Sequence, residues 1–486
     1  MSTTVNIETS KVWLRRWLVV FLLPLSLLAI ASPETFLGFS VVVTSAACLM
    51  FLARRFERVV FLVFMLIAWF PEYSQTETVY SAEDFHSLYN YRPIPWITAS
   101  VFDYFFALAV LIWIVRVGWP RRKAMLDVFL ARPMLWFLGL STFSLCFGIA
   151  KGYPVYYALK EYRVSSYFVL FYFMSASVLQ DPARRVTVTK LVAWTGIAVG
   201  CVGIGRYMLG IGKDYYGTLL VYYDIADSMV MYVALFILAS FWLVRRGFLT
   251  VILPLSVPLL FSLVFSFRRG AWIACFAAIL VMSWMYQSRG TEGARFARRV
   301  APILVGAVVA AALFFASNWQ GLVSERLASI VDTTEDMSNV FRILDSLNAL
   351  TTFARHPILG IGSGGQYDFE YYSEAVASPI FWENASRTCH NGYLYVLFKM
   401  GIVGFIAYVS IYYRFIRRWI RMRKSAVPNS DRISYYAFGT GVIAILTNNF
   451  TSPVSFSLRP TLLLAVIMAC VSSVMTDCDR IQIIPT

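Results

Sequence analysis

The stretch DSMVMYVALFILASFWLV, residues 227–244, decides the fold class of this chain. Asp227, its one charged residue, stands at the start, and Arg245-Arg246 follows the stretch directly. A helix needs about 20 apolar residues to cross the roughly 30 Å hydrocarbon core of a bilayer. Backbone N–H and C=O groups in hydrocarbon must be paired within the protein, which a helix achieves. The stretch therefore predicts a transmembrane helix that ends in a basic connection.

Similar apolar runs recur along the 486-residue chain. Hydrophobic residues make up 59% and charged residues 14%, whereas soluble domains average about 45–50% and about 25%. We predict an all-α polytopic membrane protein with about fourteen spans. They lie at about 17–31, 36–53, 59–70, 101–118, 134–150, 164–179, 189–211, 227–244, 248–267, 271–286, 301–316, 393–413, 433–450 and 458–475. The third span is short and the eighth and ninth are close together, so thirteen spans are the alternative.

Basic residues mark alternate connections between the predicted spans. They are Arg54-Arg55, Arg121-Arg122-Lys123, Arg184-Arg185, Arg245-Arg246, Arg298-Arg299 and the arginine-rich run 414–424. Loops rich in Lys and Arg stay in the cytoplasm, so we expect both termini there. The formal net charge of +15 follows from this pattern, and we expect no binding to nucleic acid.

Two outer segments, 71–100 and 317–392, are too long to be simple turns. We predict three parts: transmembrane helices 1–11 in residues 1–316, one large outer loop in 317–392, and helices 12–14 with a cytoplasmic tail in 393–486. The large loop contains a predicted helix at 339–354, with Asn339 as N-cap and apolar Phe341, Leu344, Leu347 and Leu350. A glycine-rich turn at 360–365 follows. Function is usually carried on such loops.

Arg268 and Arg269 break the charge pattern, because they emerge on the outer side after the ninth span. Ionisable residues near membrane depth are costly and are usually placed for function. A guanidinium pair there suits the planar oxygens of a lipid diphosphate. The alternative is that both side chains snorkel to the surface from a hairpin turn, in which Gly270 relieves backbone strain.

His390 is one of three histidines and lies just before the twelfth predicted span, in RTCHNGY at 387–393. An imidazole can accept a proton near neutral pH, which suits a general base acting on a sugar hydroxyl. Alone, such a histidine is more often not catalytic. Its position on the same outer face as the arginine pair favours the catalytic interpretation.

Other polar residues give weaker signals. Arg342 on the loop helix and Arg387 before His390 are candidates for anion contacts, and a solvated surface charge is the alternative for Arg342. Lys151, Lys160, Glu161, Arg163, Arg206 and Lys213 form a further outer group, which lines a polar cavity or, as we favour, neutralises lipid headgroups. The three histidines lack metal-ligand spacing, and the seven cysteines suggest no disulfide framework. We expect no metal and no other cofactor.

Four segments in a fixed order resemble the O-antigen ligase and polymerase family of bacterial envelope glycosyltransferases. They are Arg268-Arg269-Gly270-Ala271-Trp272, the single residue Arg342, RHPILGIG at 355–362, and His390-Asn391-Gly392-Tyr393-Leu394 leading to GIVG at 401–404. Together they span about the C-terminal 40% of the chain. The order of the motifs is more specific than any one of them.

The resemblance implies a GT-C-like helical fold and a metal-independent transfer of glycan from an undecaprenyl-pyrophosphate carrier. The reaction would take place at the periplasmic face of the bacterial inner membrane. By motif, His390 would prepare the acceptor hydroxyl, and Arg342 would support departure of the pyrophosphate. The pyrophosphate would bind Arg268, Arg269 and Arg387. Asn391 and Tyr393 would support the site.

The family divides by acceptor. Many polymerases resemble one another in an Arg with a Gly sixteen residues later, whereas Arg342 and Gly360 are eighteen apart. Typical ligases have about twelve spans, against fourteen predicted here. We therefore narrowly favour an exopolysaccharide or capsule polymerase, for which a chain-length regulator is a candidate partner, over a ligase that uses lipid A core or protein. A glycan flippase is less favoured, because it would distribute charges through many helices, and a scaffold would not need the arginine pair.

Overall fold

The computed structural model describes residues 99–118, 128–210, 213–215, 218–220, 225–244, 249–266, 268–287, 337–368, 370–371, 386–424, 427–428, 430–452 and 457–483. The predicted spans at 17–31, 36–53, 59–70 and 301–316 lie outside these residues. So does the outer segment 71–98. The predicted total of fourteen spans and the predicted location of both termini therefore stay predictions.

Eleven α-helices are described. They are α1 Val101–Trp113, α2 Ala131–Ala150, α3 Val155–Val178, α4 Pro182–Met208, α5 Ile225–Val244, α6 Leu249–Phe265, α7 Arg269–Gln287, α8 Met337–Arg355, α9 Gly392–Arg421, α10 Arg432–Asn448 and α11 Leu458–Ile483. A π-helical turn, Ile114–Gly118, continues α1, and a 3-10 turn, Met422–Lys424, continues α9. Each predicted span within the described residues coincides with a helix, and α8 is the predicted loop helix.

Six of the described helices are long and apolar enough to cross a membrane, namely α2, α4, α5, α7, α9 and α11. The chain is thus a multi-pass helical membrane protein. The strands in the described ranges form an antiparallel hairpin after α4. Its strands are β1 Lys213–Tyr215 and β2 Thr218–Leu220, and Lys213 pairs with Leu220.

Ion pairs show which helix ends share a side. Arg459 at the start of α11 donates to Asp227 at the start of α5 at 2.8 Å. Arg185, near the start of α4, donates to Asp477 near the end of α11, also at 2.8 Å. Helix α5 therefore runs in the same direction as α11, and α4 runs in the opposite direction. We call the side that holds α8 and residues 356–371 the loop side, and the other the opposite side.

Helix α9 is broken at Gly401, whose φ of 63° and ψ of −169° are not helical. The Gly392 N–H donates to the Asn449 carbonyl at 2.9 Å, and the Asn449 side chain also donates to the Tyr408 hydroxyl at 3.3 Å. In a straight helix residues 392 and 408 would be about 24 Å apart. The chain therefore bends sharply at Gly401. The predicted uninterrupted span 393–413 is wrong in this respect: 402–421 has the length of a crossing, and 392–400 is a short separate helix.

Residues 357–362 supply the hydrogen bonds that the break leaves unmade. The Ile361 and Gly362 N–H groups donate to the carbonyls of Phe398 and Lys399, at 2.8 and 3.0 Å. On the other side of the break, the Ile402 N–H donates to the Pro357 carbonyl at 2.8 Å. Helix ends leave such groups unpaired, and burial without partners costs several kcal/mol for each group in hydrocarbon. The loop thus caps both halves of α9.

Glycine is required where the loop and the break meet. Gly360 has φ +70°, and a Cβ there would overlap the Lys399 backbone. A Cβ at Gly401 would overlap the Ile358 carbonyl. Both residues adopt left-handed backbone, which costs other L-residues roughly 1–2 kcal/mol. These contacts give a physical reason for the PILGIG and GIVG motifs: the backbone of each motif packs directly against the backbone of the other segment.

Candidate functional site

His390 lies on the loop side at the entrance to α9, with its ring half exposed and hydrogen-bonded to the carboxylate of Asp345. The Nδ1 atom is 3.1 Å from Asp345 Oδ2, and the His390 backbone N–H donates to the same oxygen at 2.6 Å. The side chain of His390 is 40% exposed, whereas that of Asp345 is 1% exposed. Phe341 packs edge-on against the imidazole, with ring centroids 5.1 Å apart. The ring is therefore held on one side and open on the other.

A second layer surrounds the carboxylate. The Tyr367 hydroxyl donates to Asp345 Oδ1 at 2.7 Å, so both carboxylate oxygens accept hydrogen bonds. Burial, and next the charge of Asp345, raise the pKa of Tyr367. The same two causes, in the same order, hold the pKa of the buried Cys389 thiol well above its usual range. Both groups therefore stay protonated, and the Tyr367 hydroxyl stays a donor to the carboxylate.

The sequence reasoning missed Asp345 because it took the apolar stripe of the loop helix as the buried face. Leu347 and Leu350 are exposed, and the polar face with Asp345, Asn348 and Thr352 is buried. These polar residues each bond to the loop: Thr352, for instance, accepts from the Asp368 N–H at 3.2 Å. The available signal was the spacing of three and four residues between the polar side chains, which places them on one helix face.

Arg268 and Arg269 lie at the start of α7, and Arg269 is buried. Gly270 packs so tightly on the turn 448–451 that a Cβ would overlap the side chains of Asn448 and Thr451. Gly392, two residues after His390, is bonded to Asn449 of the same turn. The arginine pair and the histidine segment are thus docked on one short turn at the end of α10.

Asn391 and Tyr393, predicted to support the site, fix the segment after His390. The Asn391 side chain caps the short first part of α9 by accepting from the N–H groups of Tyr393 and Leu394, at 3.0 and 3.3 Å. The Tyr393 hydroxyl donates to the Leu446 carbonyl at 2.8 Å, and its ring packs on Phe450. Both contacts tie the histidine segment to α10.

Arg342 lies on α8 one turn before Asp345 and is partly exposed. Arg387 reaches the glycine-rich turn instead: its guanidinium donates to the Gly364 carbonyl at 3.0 Å and lies 3.8 Å from the centroid of the Tyr157 ring. The predicted contacts of both arginines with pyrophosphate stay predictions. The observed bonds show Arg387 holding the loop against α3.

A buried ion pair secures the same turn. Lys399 Nζ donates to Glu161 Oε1 and to the Gly365 carbonyl, both at 2.6 Å. The second oxygen of Glu161 accepts from the Gly364 N–H at 2.8 Å. Arg163 is likewise paired with Asp103, at 2.9 Å. Two members of the polar group predicted to serve lipid headgroups or a cavity therefore make specific bonds to other helices. In the described part of the chain, no three His, Cys, Asp or Glu side chains cluster as metal ligands do.

The segment that contains the candidate site is similar to known proteins. Residues 254–409 match the family described as O-antigen ligase. The chain is also similar to an O-antigen ligase of Salmonella typhimurium, with 27% identity over 268 residues. That alignment covers 53% of this chain and 62% of the relative, so the chain spans less than two thirds of the relative's length. The matched segment contains the arginine pair, α8, the glycine-rich turn, His390 and the break at Gly401. The resemblance read from the motifs is confirmed, because this segment matches the O-antigen ligase family.

Proposed function

We propose that the protein is a membrane glycosyltransferase that moves a glycan from a polyprenyl-diphosphate carrier to an acceptor hydroxyl. The observation that carries the proposal is the docking of the Arg268-Arg269 hairpin and the His390 segment on the single turn 448–451. This turn joins a pair of cations to a half-exposed imidazole on the loop side. A transfer with an anionic leaving group and a hydroxyl acceptor needs both.

The roles follow from charge. Nε2 of His390 accepts the proton of the acceptor hydroxyl while its oxygen attacks the anomeric carbon of the donor sugar. The bond from that carbon to the diphosphate oxygen breaks, and its electron pair leaves with the diphosphate. Arg268 and Arg269, with Arg342 one turn from Asp345, stabilise the developing negative charge. We place this chemistry at the periplasmic face of a bacterial inner membrane, in a GT-C-like arrangement of helices, with undecaprenyl diphosphate as the carrier.

For the acceptor we propose lipid A core, as in an O-antigen ligase. The preference for a polymerase rested on the spacing of Arg342 and Gly360 and on the predicted number of spans. Both comparisons carry the name ligase and neither carries the name polymerase, so they favour the ligase over that preference. The ligase proposal also leaves room for a protein acceptor, which the same chemistry would serve.

Complementation of a strain that lacks this chain tests the proposal. His390→Ala should abolish transfer, with a loss of roughly 10²–10⁴-fold, because the general base is removed. His356→Ala is the matched control: it removes an exposed histidine of the same loop and should leave transfer intact. Wild-type product from normally inserted His390→Ala protein would contradict the catalytic role.

The strain that lacks this chain also distinguishes a ligase, whose acceptor is lipid A core, from a polymerase. Long carrier-linked glycan that accumulates without attachment to lipid A core indicates a ligase. Single repeats attached to lipid A core, with no long polymer, would instead indicate a polymerase and overturn the proposed acceptor. Resolving lipopolysaccharide and carrier-linked glycan by length measures both.

A further inference from the structure

We propose that Asp345 and Tyr367 form a positioning device that holds His390 in the single tautomer that leaves Nε2 unprotonated. The inference rests on the proposed function, since it assigns residues to the base of that reaction. It goes beyond the family resemblance, whose motifs include neither Asp345 nor Tyr367.

The directions of the hydrogen bonds to Asp345 determine the tautomer of His390. Asp345 Oδ2 accepts the His390 backbone N–H, and Nδ1 lies 3.1 Å from the same oxygen. A carboxylate can only accept, so a neutral imidazole bonded to it carries its proton on Nδ1. Nε2 is then the bare nitrogen. An imidazole in the other tautomer would place two acceptors against each other.

The carboxylate of Asp345 is held rigidly. Asp345 is 1% exposed and Tyr367 is 2% exposed, and the Tyr367 hydroxyl occupies Oδ1 at 2.7 Å. With one oxygen bonded to Tyr367 and the other to the His390 backbone, the carboxylate cannot rotate without losing a buried hydrogen bond. Such a loss costs about 1–3 kcal/mol. The orientation of the imidazole is therefore fixed by two residues: Asp345 on α8 and Tyr367 in the loop after the glycine-rich turn.

The negative charge of Asp345 also acts during the reaction. When Nε2 takes the proton of the acceptor hydroxyl, the ring becomes an imidazolium whose Nδ1–H still faces Asp345. The buried carboxylate stabilises this cation as the bond to the acceptor forms, without taking up the proton itself. The proton leaves Nε2 for water after the glycan departs. Asp345 thus acts through His390 and touches no substrate.

Asp345→Asn is the decisive variant, because it keeps the shape of the side chain. The His390 backbone N–H donates to this side chain, so the Asn amide oxygen faces His390 and the NH₂ faces the Tyr367 hydroxyl. The variant therefore keeps the acceptor for Nδ1–H and removes the negative charge that stabilises the imidazolium. We expect transfer to fall by at least about 10²-fold, with little change in the KM for donor and acceptor. Asp368→Asn is the matched control. Asp368 is an exposed acid of the same loop, paired with Arg355 at 2.6 Å, and its loss should leave turnover unchanged.

Tyr367→Phe gives a graded test. It leaves the Asp345 carboxylate in place but removes the donor to Oδ1, so the turnover should fall by less than in Asp345→Asn. A purely structural role for Asp345 would instead lower the yield of folded protein and spare the turnover of the folded fraction. Folded Asp345→Asn protein with wild-type turnover would overturn the proposal.

The tautomer can be observed directly, even if Asp345→Asn does not fold. The chain has three histidines, so ¹⁵N labelling of histidine gives few imidazole signals, and His390→Gln identifies the relevant one. At a pH where the ring is neutral, the wild-type signal should show a protonated Nδ1 and a bare Nε2. A protonated Nε2 would overturn the inference. Activity that survives His390→Gln would instead contradict the proposed function, so the two failures are distinguishable.

Discussion

Two buried ion clusters, one on the loop side and one on the opposite side, contain similar residues but have different roles. On the loop side, Lys399 of α9 is 2% exposed and pairs with Glu161 of α3. On the opposite side, Arg185 of α4 is 1% exposed and pairs with Asp431 at 3.0 Å and with Asp477 at 2.8 Å.

The two clusters differ in what their charged side chains hold together. Lys399 and Glu161 also bond to the backbone of Gly365 and Gly364, so the pair clamps a turn of the loop. The Arg185 guanidinium is shared between two carboxylates at the ends of α10 and α11. The first cluster therefore positions the loop that carries the candidate site, whereas the second joins helix ends. Stability should depend on both, and catalysis on the first.

The largest expected effect is that of Gly401→Ala. This substitution disrupts the packing of the loop on α9 and does not affect the ion cluster on the opposite side. A Cβ at this left-handed position would overlap the Ile358 carbonyl, so α9 and the loop cannot both keep their places. We expect a loss of roughly 4 kcal/mol or more, the range of the most damaging substitutions. The measurement is the apparent melting temperature of purified protein in detergent, together with transfer activity.

Gly139→Ala is the control for Gly401→Ala. Gly139 lies in α2, and a Cβ there would meet nothing within 4 Å. Alanine is the better helix former by up to about 1 kcal/mol, so stability should hold or rise slightly. Equal melting temperatures for the two variants would show that the break in α9 does not need glycine.

Within the described residues the sequence predicted the positions of the helices well, because a membrane span is a local property. A run such as 227–244 needs no knowledge of its neighbours to be identified, and α5 lies where that run predicts it. The break in α9 could not be predicted in the same way. Gly401 stands in an apolar run that looks continuous, and only the distant backbone of 357–362 makes a break favourable. Asp345 was missed for a related reason, since its burial depends on the histidine segment packed on α8.

An effect of intermediate size is expected for Lys399→Met, which we compare with Arg185→Met. Each removes one partner of a buried pair and leaves a buried carboxylate uncompensated, which costs about 3–5 kcal/mol. The two variants should therefore lose similar stability. Activity per folded molecule should differ: Lys399→Met releases the turn at 364–365, and misplacement by about 1 Å can reduce turnover roughly 10²-fold. Arg185→Met should leave the turnover of the folded fraction unchanged.

Transfer by protein sorted on a sizing column in detergent measures the turnover of the folded fraction. Similar losses of turnover in the two variants would contradict the division of roles, because the opposite side would then also set the geometry of the site. A double substitution of Lys399 and Glu161 to apolar residues sharpens the result further. It removes both charges, so it should recover part of the stability without recovering the turnover, since Gly364 and Gly365 stay released.

The smallest expected effect is that of Tyr157→Leu, which removes the ring beneath Arg387 but spares its bond to the Gly364 carbonyl. Stacking of a guanidinium on a tyrosine contributes about 0.5–1 kcal/mol at exposed sites and roughly 2 when desolvated. Arg387 is partly exposed, so we expect a loss near the lower values, with turnover close to that of the wild type. A weaker affinity for the glycan donor at unchanged stability would show instead that the ring aims Arg387 at the substrate. Titrating the donor in the transfer assay distinguishes the two, because Lys399 and Glu161 hold the turn in either case.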